Sequence, residues 1–130
     1  LQWKILQQDE PDDFVIATGR QESVRNFVEL SAKKLGWGGI LWEGKGLDEV
    51  GRRVDTGKIV IRIDERYFRP SEVNSLLGDP TKAKNKLGWN PSISLEELIS
   101  EMIDHDKEIF LRESFLQKNG FNTNSNYQYD

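Results

Sequence analysis

The residues with the greatest chemical reach lie between Ile63 and Pro91, and the densest group among them is Arg69-Pro70-Ser71-Glu72. Proline fixes its own φ and suits the first position of a helical turn. The spacing therefore predicts a turn with Arg69 at its mouth and Glu72 close by on the same side. An arginine and a carboxylate held together make a clamp for a polar ligand. The guanidinium meets phosphate through paired N–H groups, and the carboxylate accepts from hydroxyls. Three more arginines fall at loop or helix-start positions: Arg20, Arg25 and Arg66. Arg25 belongs to the first turn of its helix, where a cation opposes the macrodipole. A ligand anion beside that helix start accounts for it. From spacing alone, an ordinary surface arginine accounts for it equally well.

Other chemistries fail on residue type or spacing. The chain has no cysteine, hence neither a disulfide framework nor a thiolate site. His105, the single histidine, stands between Asp104 and Asp106 with no second His or Cys to build a metal site. We read it as an exposed helix residue and expect no metal. The pairs Asp12-Asp13 and Glu96-Glu97 read as solvated carboxylates on turns and exposed faces. Gly36-Trp37-Gly38-Gly39 lacks the spacing of a dinucleotide fingerprint and follows a helix instead of opening one. No catalytic residue is assigned.

The elements that must position these side chains are legible in outline. Trp3, Ile5 and Leu6 end a short helix before Pro11. Phe14 to Thr18 is an apolar run that reads as a buried parallel strand ending at Gly19. Ser23 caps a helix from Val24 to about Leu35, with Val24, Phe27, Val28, Ala32 and Leu35 on one side. Gly38 to Gly44 reads as a short strand and Val50 to Asp55 as a weaker one. Thr56-Gly57 is a tight turn flanked by Arg52, Arg53 and Lys58, which we read as a solvated hairpin. Lys58 to Ile63 is the clearest strand, running on to Asp64, with Ile59, Ile61 and Ile63 on one face. Asp79 reads as an N-cap, Pro80 as the first residue of a helix to Leu87, and Gly88 as its stop. A final helix runs from Leu95 to about Phe115. Ser94 and Glu97 have capping-box spacing, and Leu95, Leu98, Ile99, Met102 and Ile103 form its core stripe.

These elements make an α/β fold of short strands and packed helices over residues 1–115, with a polar tail at 116–130 expected to be disordered. The 130 residues allow one domain with a modest core, since only 36% are apolar and 31% are charged. A net charge of −4 argues against a nucleic-acid partner. No apolar run approaches membrane-spanning length, and no signal peptide is visible. The chain begins at Leu1 and not at Met, which predicts a segment of a longer protein.

Several stretches together resemble the C-terminal part of the GDP-mannose 4,6-dehydratase family. They are Leu6-Gln7-Gln8, Asp13 to Gly19, Ser23 to Glu29, Val50-Gly51-Arg52, Tyr67 to Val73 and Leu77 to Lys84. The Arg-Pro-x-Glu block joined to Leu-Gly-Asp-Pro-Thr-Lys-Ala is the specific part. Leu87-Gly88-Trp89-Asn90-Pro91 is shared more widely among extended short-chain dehydrogenases. The resemblance spans about residues 1 to 110 and departs from the family pattern at Gly36 to Gly39 and in the tail. It implies a small C-terminal substrate-binding domain for GDP-mannose, a separate N-terminal Rossmann domain carrying NADP and the catalytic groups, a cytoplasmic enzyme and a homo-oligomer. The implied reaction gives GDP-4-keto-6-deoxymannose. The resemblance assigns Arg69 and Glu72 to the sugar-nucleotide clamp, and Val24 and Arg25 to the helix start near the diphosphate and base. The residues alone leave two alternatives: a non-catalytic nucleotide-sugar-binding module, and a structural or assembly domain with its arginines on a solvated face.

Overall fold

A computed structural model describes residues 1–69, 71, 73 and 75–121. It contains a three-stranded antiparallel sheet in the order β1-β2-β3, built from Ile40–Glu43, Val50–Arg53 and Ile59–Arg62. Among the described residues four α-helices accompany it: α1 (Gln2–Leu6), α2 (Val24–Lys34), α3 (Thr81–Leu87) and α4 (Leu95–Lys118). The α/β character and packed helices match the expectation from sequence.

The sheet is a meander because each neighbouring pair is joined by a glycine-bearing connection. Trp42 pairs with Gly51, and Gly51 pairs with Ile61. Gly51 is buried, and a Cβ placed there would lie 3.0 Å from Ile40 Cγ2 and 3.1 Å from Ile61 Cβ. The missing side chain lets the isoleucines of the outer strands close over the central one. The alternation predicted for Ile59 and Ile61 is present: both are half-buried, while Val60 and Arg62 are exposed. The hairpin charges are less solvated in contact than the sequence suggests. Arg53 lies over the Trp37 ring at 4.3 Å and binds Asp55 through both Nε and Nη2.

α2 starts on Ser23, whose hydroxyl accepts from the Asn26 amide at 3.0 Å. It packs against α4 and touches β1. The core is small: Ala32, Ala83, Leu87 and Ile99 are the buried apolar side chains among the described residues. α4 carries the predicted capping box. Ser94 accepts from the Glu97 amide, and Glu97 accepts from the Ser94 amide and hydroxyl. The helix runs past Phe115 because nothing breaks it before Asn119. There the Asn119 side chain donates to the Phe115 carbonyl, and the Phe121 amide donates to Leu116. Residues 122–130 of the expected tail lie outside the described residues.

Four local expectations change. Phe14 to Thr18 forms no strand; Val15 and Ile16 are about half exposed, since no strand among the described residues pairs with them. Instead the run lies beside Gly78, where a Cβ would come within 2.8 Å of Ala17 Cβ. Val24 is 81% exposed, because it occupies the first helical position and burial on α2 begins only at Asn26. Leu98 and Met102 are also more than two-fifths exposed: α4 packs mainly against one helix, α2, and its buried face narrows to Ile99. β3 stops at Arg62, because Asp64 turns back to accept from the Arg66 amide and starts a 3₁₀ turn, Glu65–Tyr67.

Candidate functional site

The local structure sorts the four loop arginines. Arg20 binds Glu22 at 2.6 Å, and Arg66 binds both oxygens of Asp64. Each partner is two residues away, so these pairs shape their own turns. Asp64 is held below the usual carboxylate range by the Arg66 guanidinium and amide. Arg25 differs, because its partners come from other elements. Its Nη2 donates to Glu49 Oε1 at 2.6 Å, and its guanidinium lies 4.1 Å from the centroid of the Trp42 ring.

Trp42 is held in turn. Its indole N–H donates to Glu29 Oε1 at 3.0 Å. Arg25 and Glu29 are four apart on α2 and therefore share a face. Trp42 and Ile40 are the half-buried residues of β1, so the strand's inward face meets that helix face. Glu49 sits between a 3₁₀ turn at Gly46–Asp48 and the start of β2. One helix, one strand and one tight loop thus converge on a single guanidinium at the first turn of α2. The Arg25 contacts account for a cation at a position where the helix dipole disfavours it.

The described residues on either side of Arg69 approach two other parts of the chain. On the near side, the Phe68 ring lies 4.0 Å from where a Cβ on Gly46 would stand, next to the loop that leads to Glu49. On the far side, Gln21 Oε1 accepts from the Ser75 hydroxyl at 2.9 Å and from the Leu76 amide at 3.3 Å. Gln21 stands two residues before the cap of α2. Ser75 and Leu76, which follow the Arg69 segment, are therefore tied to the chain just before α2, four residues from Arg25 in sequence. Arg69 itself is exposed and non-helical, as the mouth of a turn requires, and Ser71 is not helical. Pro70 and Glu72 lie outside the described residues. Val24 and Arg25 open α2 as expected.

Sequence reasoning missed Trp42, Glu49 and Gln21. The alternation of Ile40 and Trp42 would have pointed Trp42 inward. No local pattern marks Glu49 or Gln21, whose partners lie 24 and 54 residues away. Pro80 is the N-cap of α3 and not its first residue, while Asp79 Oδ1 accepts from the Thr81 amide at 2.9 Å, so the predicted start shifts by one position. Elsewhere, an open groove of about 660 Å³ lies beside Asp9, Glu10, Asp12 and Lys86. Its carboxylates make it the wrong surface for a phosphate. Asp12 there is lowered to about 2 from 3.8 by Lys82 and then Lys86, which tie the chain before Phe14 to α3. Among the described residues, no group of three or more His, Cys, Asp or Glu could hold a metal ion.

Comparison with known proteins places this geometry in context. The sequence model described as GDP-mannose 4,6 dehydratase matches residues 1–102. The human GDP-mannose 4,6 dehydratase is 52% identical over 107 residues, covering 82% of this chain and 28% of that protein. The GDP-mannose 4,6-dehydratase of Vibrio cholerae is 48% identical over 130 residues, covering 92% of this chain and 35% of its own length. That of Dictyostelium discoideum is 49% identical over 106 residues, covering 82% and 30%. The chain thus spans about a third of the length of the curated relatives it matches.

Proposed function

The chain belongs to the GDP-mannose 4,6-dehydratase family, and on that premise we propose that it forms the part of such an enzyme that binds the GDP-sugar. The observation that carries the proposal is the convergence on α2: Arg25 is held by Trp42 and Glu49, and Gln21, just before the helix, binds Ser75 and Leu76 on the far side of Arg69. Arg25 meets a diphosphate oxygen, with Val24 beside it at the exposed helix start. Arg69 and Glu72 close on the nucleotide from the neighbouring segment, through paired N–H groups and a hydroxyl-accepting carboxylate.

The whole enzyme converts GDP-mannose to GDP-4-keto-6-deoxymannose with NADP. The residues of this chain do not fit that dinucleotide. Its sheet is an antiparallel meander, and Gly36 to Gly39 leaves α2 instead of opening a helix. Hydride and proton transfer therefore belong to a separate dinucleotide-binding domain. By itself the 130-residue chain turns over neither NADP nor GDP-mannose. No helix among the described residues is long and apolar enough to cross a membrane. The cytoplasmic location and homo-oligomeric state of the whole enzyme follow from the family reading alone.

The test is Arg69→Ala in the full-length enzyme. Losing a charge-assisted hydrogen bond costs on the order of 1.5–3 kcal/mol, which raises KM roughly ten- to over a hundredfold if binding is at equilibrium. Glu72→Gln gives a smaller rise in the same direction. If Arg69→Ala lowers only kcat and leaves KM unchanged, the binding assignment is wrong.

A further inference from the structure

We propose that Glu49 is a positioning residue: it fixes the guanidinium of Arg25 for the anionic part of the sugar nucleotide. The inference rests on the binding reading above and adds a residue to it.

An arginine side chain on a helix surface samples many rotamers, and each must be lost before its fork meets an anion. Arg25 is restrained in two directions here. The Trp42 ring supports the flat face of the guanidinium, at 4.1 Å to the centroid. Glu49 takes one N–H, through a 2.6 Å bond to Nη2. A guanidinium has five N–H donors, so others remain for a ligand. The restraint is worth something only if Glu49 is itself fixed, and its backbone is. Gly44 has φ +82° and packs so tightly under the Asp48 carbonyl that a Cβ would collide with it. The 3₁₀ turn Gly46–Asp48 fills the loop, and Val50 pairs with Glu43 directly after Glu49. The Glu49 side chain is the more covered of the pair, at 21% exposure against 44% for Arg25. The carboxylate is thus the anchor, and the arginine is the group that it aims.

A carboxylate beside a phosphate-binding arginine also repels the ligand, so two effects compete. In positioning, the loss of orientation on removing Glu49 outweighs the relief of repulsion. The experiment is a double-mutant cycle in the full-length enzyme, with KM for GDP-mannose and thermal unfolding measured for Arg25→Ala, Glu49→Ala, Glu49→Gln and the Arg25→Ala/Glu49→Ala pair. Glu49→Ala should raise KM about tenfold with kcat little changed, as expected for lost ground-state binding. Glu49→Gln retains an oxygen that accepts from Arg25 Nη2 and should recover most of that loss. In the Arg25→Ala background, Glu49→Ala should add nothing to KM, because the group it aims is gone. Equal losses from Glu49→Ala with and without Arg25 would make its role a general one in folding and overturn the inference alone. Tighter binding by Glu49→Ala would mean that the carboxylate competes with the ligand, and would also overturn it. An unchanged KM for Arg25→Ala would remove the binding reading along with it.

Discussion

Gly78→Ala should destabilise the chain through one contact, and the size of the effect follows from two opposing contributions. The new Cβ would stand 2.8 Å from Ala17 Cβ and 3.1 Å from Val15 Cγ1. Carbon atoms prefer a separation of roughly 3.5–4.0 Å, so the two segments must part by several tenths of an ångström or more. Neither obstacle is the far end of a flexible side chain, and the strain falls on the backbone. Overpacking of this kind costs roughly 1–3 kcal/mol. Against it, alanine narrows the unfolded ensemble and returns about 0.4–1 kcal/mol, since Gly78 has no positive φ that would forbid a side chain. Taken at the middle of both ranges, the net loss is about 1.3 kcal/mol. Urea unfolding should show the midpoint lowered by about 0.6 M at an unchanged slope of about 2 kcal/mol per molar. The control is Ala17→Gly, which removes the nearer obstacle. Gly78→Ala should cost distinctly less in that background than alone, a non-additivity expected only of touching residues. Equal losses in both backgrounds, or a midpoint that rises, would refute the steric argument.

Other perturbations read other parts of the structure. Ile99→Ala removes a side chain of α4 that is 2% exposed and should cost roughly 2–5 kcal/mol in the same melt, whereas Leu98→Ala, 43% exposed, should cost much less. Ser94→Ala breaks the capping box of α4 and should lower stability by about 0.5–2 kcal/mol, seen as a lower midpoint without a change of fold by circular dichroism. The Asp12 carboxyl is depressed to about 2 in the folded chain from an ordinary 3.8, so its contribution is complete above pH 3.8 and fades as the pH falls towards 2. Asp12→Asn should flatten that acid limb of a stability–pH profile, with its loss of stability full at neutral pH and vanishing towards pH 2. Measuring unfolding between pH 2 and pH 5 decides it.

Local chemistry made much of this fold readable. Ser23, Ser94 with Glu97, and Gly88 mark helix ends because caps act within a few residues. β3 was readable because its alternation reflects one buried face. The failures share a cause, which is distance along the chain. Phe14 to Thr18 has the composition of a buried strand, but a strand exists only where another backbone completes its ladder. Met102 has the right period for the core, but burial depends on how wide a face the partner helix covers. At the candidate site, Arg25 drew notice because it offends the helix dipole. Glu49 and Gln21 offend nothing locally, and only the folded chain brings them to Arg25 and Ser75.

The tight loop between β1 and β2 bears on what variation this region can absorb. Loops generally tolerate inserted residues, because doubling a free loop costs only about 0.6 kcal/mol in closure entropy. This one carries Gly44 at φ +82° under the Asp48 carbonyl and a 3₁₀ turn at Gly46–Asp48, and Glu43 and Val50 pair across its ends. An extra residue would have to bulge beside Glu49 and carry its carboxylate away from Arg25. Length polymorphism should therefore collect at the exposed Thr56-Gly57 turn of the β2–β3 hairpin and be rare between Glu43 and Val50.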